Sequence, residues 1–418
     1  MAEKKVLITG IGIVSPVGLT RNETWAAVKA GKSGIGRITR FDPSRVSCQV
    51  AGEVKGFEEY APTVIEPKEL RNMARFTQMA AVAALEAWKD AAFETKPDMD
   101  RVGTIMGVGI GGMDVQETSW TALITKGPHF LSPKSIPMLI ANEAPGNISI
   151  MLGAKGPCQV ITTACASSTD ALGYALDIIR AGRADVVIAG GAEATIHEYC
   201  LGGFGRMRAL STKFNDTPER ASRPFNVDRD GFVMGEGAAI LILESEEHAK
   251  ARGAKNVYAE FAGYGATADA YHITAPDPSG AGAVKAIKLA LADAGVSNLE
   301  EVDYFNAHGT STPLNDAMET RAIKEVFGDH AKNIKISSTK SMTGHMLGAA
   351  GAIEAAFTAL AIKDSFVPPT INYENPDPEL DLDYTPNTGV EKNIRVAASS
   401  SLGFGGHNGV LVLKKAQQ

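Results

Sequence analysis

Cysteine is scarce in this 418-residue sequence, which contains only Cys48, Cys158, Cys165 and Cys200. These four residues form no CxxC pair and follow no spacing that is typical of metal ligands. So few scattered cysteines do not indicate a disulfide framework, and we expect free thiols. Three of them are explained as small apolar residues of a packed interior. The open question is whether the fourth is reactive.

Long apolar runs are also lacking. No stretch approaches the roughly 18–20 apolar residues that cross a bilayer, so we expect no membrane association. The apolar part of residues 1–18 is interrupted by Gly10, Gly12 and Pro16. This favours a first strand that enters a glycine turn over a secretory signal, and we expect a cytoplasmic protein.

Positive charge is not in excess: 41 basic residues stand against 48 acidic ones, for a net charge of −7. General nucleic-acid binding relies on positive charge against phosphate, so we do not expect it. An acidic partner would have to dock on a local basic patch. The 44% of hydrophobic residues is ordinary for a globular protein and suffices for one large core or two fused ones.

What the sequence does contain is an alternation of β-branched runs with alanine-rich segments, which is typical of α/β architecture with buried parallel strands. Strands are predicted at residues 6–9, 102–106, 159–163, 186–189, 239–243, 257–264, 302–306, 334–338, 395–400 and 410–414. Helices are predicted at residues 74–92, 167–181, 281–294, 317–327 and 347–362.

The two parts of the chain pass through similar events, which indicates a duplicated half. Each part has a strand, a polar turn and a helix of small residues: CQVITTACASSTDALGYALDIIRAG and IKISSTKSMTGHMLGAAGAIEAAFTALAI. Each then closes with paired strands and a glycine-rich turn. We predict two halves, residues 1–253 and 254–418, related by a pseudo-twofold axis. Cys165 and His345 fall at equivalent turns, so the two helix N-termini should meet at the centre.

Cys165 lies in TTACASS, where an apolar strand ends and a helix begins. A thiol at this position faces unpaired backbone N–H groups and the positive end of a helix, both of which favour the thiolate. Small neighbours leave room for a substrate. From the residues alone, a nucleophile and a structural cysteine are equally plausible.

Two histidines follow predicted strands. His308 lies in NAHGTSTP, a loop that would hold a polar ring at the end of a sheet, where α/β proteins place their sites. His345 lies in KSMTGHMLGAAG, and burying it there is costly without a partner. Lys340 brings a charge into the same region, and Glu354 is a plausible counterion.

Two glycine patterns suggest close backbone contacts. Gly344, Gly348 and Ala352 recur every four residues and predict a buried helix against which another backbone packs. In GFGG, Gly403 and Gly405 flank Phe404 and predict a tight turn whose N–H groups point into a site.

Together, TACASS, NAHGTSTP, KSMTGHMLGAAG and GFGG closely resemble the β-ketoacyl-acyl-carrier-protein synthases of the type II elongating class. The resemblance extends over essentially the whole chain. It implies a thiolase-like α/β fold with two similar βαβαβαββ halves in a five-layered α-β-α-β-α core, and a homodimer. It also implies acyl carrier protein as partner and no cofactor apart from the carrier's phosphopantetheine arm.

The resemblance assigns catalytic roles. Cys165 matches the nucleophile, and its N–H would form an oxyanion hole with that of the gating residue Phe404. Further matches are the paired histidines His308 and His345 and the supporting Lys340 and Glu354.

It assigns substrate contacts as well. Ile110 and Phe204 resemble residues that line an acyl pocket, and Thr310 and Thr312 resemble hydroxyls that hold the phosphopantetheine arm. Gly403 and Gly405 belong to the turn at the pocket.

The implied reaction is a decarboxylating Claisen condensation of malonyl-carrier with a cysteine-bound acyl chain, which extends fatty acids by two carbons. The two-histidine set separates this class from thiolases, which need a second cysteine, and from initiating synthases, which pair a histidine with an asparagine. A polyketide-type ketosynthase of the same fold is the alternative.

Two basic clusters are candidates for docking the acidic carrier. Lys68, Arg71 and Arg75 fall at i, i+3 and i+7 and predict one helical face. Arg206, Arg208 and Lys213 form the second cluster. Solvated surface charge explains both clusters equally well.

Three other functions remain open at this stage. The pattern GxGxxG at residues 107–112 would suit an oxidoreductase, although neither a following helix nor an acidic residue supports it. A non-catalytic relative of a condensing enzyme is the second, and Cys165 argues against it. A zinc site made of Cys165, His308 and His345 is the third, without local ligand spacing.

Overall fold

The computed structural model describes residues 4–417. Its strands are β1 (Val6–Val14), β2 (Gly36–Arg37), β3 (Val50–Ala51), β4 (Val102–Gly107), β5 (Cys158–Ile161), β6 (Val186–Glu193), β7 (Gly237–Ser245), β8 (Ala259–Ala268), β9 (Val302–Asn306), β10 (Lys335–Ser337), β11 (Phe366–Val367), β12 (Val390–Glu391), β13 (Val396–Gly403) and β14 (His407–Lys414).

Its helices are α1 (Arg21–Lys29), α2 (Phe57–Val64), α3 (Pro67–Leu70), α4 (Arg75–Asp90), α5 (Met113–Lys126), α6 (Ser135–Leu139), α7 (Glu143–Leu152), α8 (Ser167–Arg180), α9 (Glu198–Arg206), α10 (Glu246–Ala251), α11 (Ala281–Asp293), α12 (Pro313–Phe327), α13 (Lys340–Thr343) and α14 (Ala350–Asp364). The predicted strands and long helices are present with shifted ends. The sequence did not predict helices α1, α2, α3, α5, α6, α7, α9, α10 and α13.

Ten strands form one sheet, and its order repeats. The first group runs β5-β4-β6-β7-β1 and the second runs β8-β14-β13-β9-β10. The five strands of each group can be numbered in chain order. From the outer edge of the sheet inward, both groups then run third, second, fourth, fifth and first. The groups meet where β1 pairs antiparallel with β8. This repeat agrees with a duplication, whereas the boundary between residues 253 and 254 stays a prediction.

The expectation of parallel strands is only partly correct, because the sheet is mixed. β4 pairs parallel with β5 and β6, but β7 runs antiparallel to both β6 and β1. The closing strands also differ between the halves. β13 and β14 are joined by a short glycine turn, whereas residues 194–236 separate β6 from β7.

The helices that are covered by strands on two sides define the layers of the fold. α8 and α14 contact each other and strands of both groups, so they form the central layer. All of α14 from Ala350 to Ile362 is buried, as expected for an alanine-rich helix enclosed by sheets. α4 and α7 cover the first group from outside, and α11 with α12 covers the second. The result is the predicted five-layered α-β-α-β-α arrangement.

Gly344, Gly348 and Ala352, which are spaced four residues apart, do not lie on one helix as predicted. Gly344 lies before the helix with φ +70°, and a 3-10 turn at Leu347–Ala349 precedes α14. Close backbone contact nevertheless occurs at Gly348, where an added Cβ would lie 2.2 Å from the backbone nitrogen of Gly109. Among the helices described in residues 4–417, none is both long and apolar enough to span a bilayer.

Candidate active site

A cavity of about 940 Å³ opens beside the turns that precede the central helices α8 and α14. Cys165, His308, His345 and Phe404 all line it, together with mostly apolar neighbours. These residues come from both halves of the chain, as the sequence repeat predicted. The cavity therefore brings the predicted nucleophile and both predicted histidines to one space.

Cys165 lies in a 3-10 turn, Ala164–Ala166, between β5 and the first residue of α8. Burial raises the pKa of its thiol to about 12 and outweighs the opposing effects of the Lys340 charge and of backbone N–H groups. The N–H groups at this turn thus act in the direction that the sequence predicted, but the burial of the sulfur has the larger effect. The apolar wall of the cavity leaves the sulfur protonated at neutral pH.

The two histidines lie against each other. His308 follows β9, His345 follows α13, and their ring centroids are 5.2 Å apart with the rings almost perpendicular. Both are buried, and burial together with the nearby Lys340 charge holds the pKa of each imidazole well below its usual value. Both rings are therefore neutral at pH 7, and a neutral ring carries one N–H donor.

Lys340 and Glu354 form the predicted ion pair, and both side chains are buried. Burial raises the pKa of Glu354 to about 7, although the Lys340 charge opposes this. The Lys340 charge also lowers the pKa of Cys165 and of both imidazoles. One buried cation thus acts on all three reactive side chains.

The glycine turn joins β13 to β14 and packs onto the nucleophile turn. An added Cβ at Gly403 would lie 3.2 Å from the backbone nitrogen of Cys165, so only a glycine permits this approach without a shift. The backbone N–H groups of Phe404 and of Cys165 itself both lower the pKa of the Cys165 thiol. Gly405 has φ +88° and donates its N–H to the carbonyl of Ile273; it shapes the turn but does not line the cavity.

The predicted substrate contacts line the cavity. Ile110 and Phe204 contribute to its apolar part, and the Phe204 ring lies 6.2 Å from that of Phe404. Thr310 and Thr312 also line it, with a 3.0 Å hydrogen bond between their hydroxyls.

Two buried carboxylates that the sequence analysis missed organise the loops. Glu193 accepts hydrogen bonds from the backbone N–H groups of the Ile110 loop, residues 109–111, and from that of Gly348. Glu319 accepts hydrogen bonds from the N–H groups of His308 and Gly309. The only sequence signal for Glu193 is a carboxylate at the end of an apolar strand, and Glu319 has none that we recognise.

The basic residues predicted to dock the carrier differ in solvent exposure. Lys68, Arg71, Arg206, Arg208 and Lys213 are exposed, and Arg208 lines the cavity.

Arg75 is a correction to the predicted docking face. Its guanidinium is buried and binds Glu236 and Glu58. The predicted single helical face does not exist either, because a turn separates α3, which contains Lys68, from α4, which begins at Arg75.

The remaining alternatives gain no support. Residues 107–112 lead from β4 directly into α5, so the expectation that no helix follows this pattern is wrong. Glu193, however, occupies the N–H groups of Gly109 to Gly111. Within residues 4–417, no group of three or more His, Cys, Asp or Glu side chains is arranged to hold a metal ion.

Comparison with known proteins agrees with this geometry. The chain matches the families "Beta-ketoacyl synthase, N-terminal domain" over residues 3–249 and "Beta-ketoacyl synthase, C-terminal domain" over residues 258–374. It is 53% identical to "3-oxoacyl-[acyl-carrier-protein] synthase 2" of Staphylococcus aureus, over 99% of this chain and 98% of that one. It is 51% identical to the protein of the same name from Synechocystis, over 100% and 99%.

A solved structure is similar along the whole chain as well. It is described as "type II PKS acyl-carrier protein in complex with its ketosynthase bound to the hexaketide", with a TM-score of 0.91 and 37% identity. The match covers 99% of this chain and 100% of that one. The family matches cover most of both halves, whereas the sequence identity and the shared fold extend over nearly the whole chain. The chain therefore belongs to the β-ketoacyl synthase family.

Proposed function

We propose that this protein is a 3-oxoacyl-[acyl-carrier-protein] synthase of the elongating type, which condenses malonyl-carrier with a cysteine-bound acyl chain. The observation that carries the proposal is the single cavity lined by Cys165, His308 and His345. The 53% identity to a relative with this name supports the choice of reaction over the polyketide alternative, whose structural relative is 37% identical.

The first step transfers an acyl group to Cys165. The sulfur attacks the thioester carbonyl of acyl-carrier, the carbon–sulfur bond to the carrier breaks, and the proton of the Cys165 thiol passes to the departing thiolate. The N–H groups of Cys165 and Phe404 are the proposed oxyanion donors, and their effect on the pKa of the thiol supports this assignment. Such a donor contributes about 3–4 kcal/mol in comparable enzymes.

The second step generates a carbanion by loss of carbon dioxide. The carbon–carbon bond to the malonyl carboxylate breaks, and its electron pair becomes an enolate on the thioester oxygen. Donors stabilise this oxygen better than a base would, because no proton has to be removed. Two neutral imidazoles, each with one N–H, provide two such donors.

The third step joins the two chains. The enolate carbon attacks the acyl carbonyl on Cys165, the carbon–sulfur bond to Cys165 breaks, and the sulfur takes up a proton from solvent. Cysteine and imidazole chemistry accounts for every bond change, so we propose that the enzyme needs no cofactor beyond the carrier's phosphopantetheine arm.

The cavity walls suit the two ends of the substrate. Ile110 and Phe204 lie where an apolar acyl chain would be held. Thr310 and Thr312 present hydroxyls that can hydrogen-bond the amide groups of the arm. We assign these contacts to substrate binding.

Acyl carrier protein is the proposed partner. The names of the relatives from Staphylococcus aureus and Synechocystis include this carrier, and the related solved complex contains one. Exposed Lys68, Arg71, Arg206 and Arg208 offer positive charge to an acidic carrier, and Arg208 does so at the cavity itself.

We also propose a homodimer, as the sequence resemblance implied. β5 is the outermost strand of its group, so one of its edges is unpaired in the ten-stranded sheet. Large apolar side chains are exposed on α7, which packs against β5, and on the segment from α5 to α6 that precedes α7, namely Trp120, Ile124, Phe130, Ile136 and Ile150. An open strand edge beside exposed apolar residues is the kind of surface that a second copy covers. Location in the cytoplasm stays a prediction from the sequence.

The test is intact-mass analysis after incubation with a long-chain acyl-carrier thioester. We expect one acyl adduct, lost in Cys165→Ser and retained in the control Cys158→Ser, which removes another accessible thiol. His308→Ala and His345→Ala should still be acylated but should lose release of carbon dioxide from malonyl-carrier. Condensation retained in either histidine variant would refute the assigned roles, and a wild-type protein without an adduct would refute the function.

A further inference from the structure

The turn that carries Cys165 has an unfavourable backbone. Ala164 has φ +50°, the left-handed region that residues other than glycine rarely adopt, and Thr163 before it has φ −135° and ψ 47°. Such conformations persist only where the surroundings hold them in place, and they are concentrated at functional sites. Specific contacts must therefore hold this turn.

One set of contacts is local. The Ser167 hydroxyl accepts a hydrogen bond from the N–H of Thr163 at 2.9 Å and donates to the carbonyl of Ala164 at 2.6 Å. These bonds bracket the left-handed residue from within the same turn. They do not fix the orientation of the turn relative to the second half of the chain.

A second set of contacts reaches across to that half. The Thr163 hydroxyl donates to one carboxylate oxygen of Asp170 at 2.5 Å, and the Tyr264 hydroxyl donates to the other at 2.7 Å. Asp170 lies in the first turn of α8, whereas Tyr264 lies on β8. Burial and the adjacent Asp170 charge raise the pKa of Tyr264, so its hydroxyl remains a donor.

Tyr264 is itself held firmly. Its ring packs on the α8 backbone at Gly173, where an added Cβ would lie 2.4 Å from ring carbons. Its N–H donates to Asp293, and Asp293 also binds Arg180 at the end of α8. The Tyr264 hydroxyl therefore has a fixed position against which Asp170 can orient Thr163.

We propose that Asp170 and Tyr264 are positioning residues for Cys165, which hold the strained nucleophile turn through the Thr163 hydroxyl. This inference rests on the proposed function, because the step that it controls is acylation of Cys165. The two residues act on the direction of the sulfur and of the Cys165 N–H, without touching the substrate. His308 and His345 lie on separate loops, so decarboxylation does not depend on this contact chain.

Tyr264→Phe is the decisive variant, because it removes one hydroxyl and keeps the ring on Gly173. We expect acylation of Cys165, measured in a single turnover with an acyl-carrier thioester, to slow at least tenfold. Carbon dioxide release from malonyl-carrier and the thermal unfolding midpoint should stay close to wild type. The matched control Tyr199→Phe, at an exposed tyrosine on α9, should leave both rates unchanged.

Asp170→Asn provides a second measurement. The asparagine side chain has a similar shape and keeps one acceptor oxygen. The rate of Cys165 acylation should therefore lie between that of wild type and that of Asp170→Ala. Wild-type acylation rates in Tyr264→Phe would overturn the inference while leaving the proposed function intact. Acylation, decarboxylation and the unfolding midpoint falling together would also overturn it, because that pattern indicates general loss of structure. A wild-type protein that is never acylated would instead overturn the proposed function, and this inference with it.

Discussion

Replacing Gly348 with alanine would test the backbone contact that joins the two halves beside the cavity. The added Cβ would lie 2.2 Å from the backbone nitrogen of Gly109, whereas ordinary contacts begin at 3.4 Å. The nearest atom belongs to the backbone of Gly109, and a carboxylate oxygen of Glu193 would lie 2.7 Å away, so a side-chain rotation alone cannot relieve the overlap. Overpacking of this kind costs about 1–3 kcal/mol. The shift would also stretch the hydrogen bonds that the N–H groups of Gly109 and Gly348 donate to Glu193.

Adding about 1 kcal/mol for weakened hydrogen bonds gives a loss of about 3 kcal/mol in the free energy of unfolding. That corresponds to roughly a hundredfold change in the folding equilibrium. The assay is urea unfolding at a fixed protein concentration, read as a shift of the midpoint with an unchanged slope.

Gly146→Ala is the matched control, because Gly146 lies inside α7 and an added Cβ there would meet no atom within 4 Å. Alanine should stabilise this helix by up to about 1 kcal/mol. A Gly348→Ala protein that unfolds at the same urea concentration as wild type would refute the close contact. It would equally refute our account of how the Ile110 loop is held.

Three further predictions follow from the same structure. The pKa of Cys165 is about 12, so little thiolate is present between pH 7 and 9. The rate of its alkylation by iodoacetamide, measured in a Cys158→Ser background, should therefore rise about tenfold per pH unit over this range. A plateau in this range would mean that the thiolate is already formed. Arg75→Ala should lower the free energy of unfolding by about 3–5 kcal/mol, because it leaves the buried carboxylate of Glu236 unpaired. Arg71→Glu should instead keep the unfolding midpoint and raise the KM for carrier-bound substrate. Equal effects of the two variants on stability would contradict the division into a buried Arg75 and an exposed Arg71. Glu193→Gln should slow acylation more with long than with short acyl chains, because an amide can accept from only part of the Ile110 loop; an unchanged chain-length profile in steady-state assays would count against this role.

The parts of the fold that could be predicted are those determined locally. Alternating β-branched and alanine-rich segments are sufficient to predict β4, β6, α8 and α14. These elements are largely buried, and burial is the property that produces their hydrophobic pattern in the sequence. The repeat between the halves could be read for the same reason. Helices α5 to α7 were missed, because their exposed apolar side chains follow no clear core-facing pattern.

The electrostatics of the site could not be predicted from neighbours in sequence. Arg75 has the spacing of a surface residue, yet Glu236, which lies 161 positions away, holds its guanidinium in the interior. Cys165 has the local setting of an activated thiol, yet the walls that raise its pKa come from segments far along the chain. Local sequence specifies which groups are available, whereas their charge states depend on tertiary neighbours.

The duplication explains why the reactive groups are interdependent. The first half contributes the sulfur, and the second contributes both imidazoles, the Lys340 charge and the Phe404 turn that packs on the sulfur. Glu193 from the first half holds Gly348 of the second, and Tyr264 from the second half holds Asp170 of the first. Each half therefore orients a reactive segment of the other, so a change at their contact should alter chemistry before it unfolds either half.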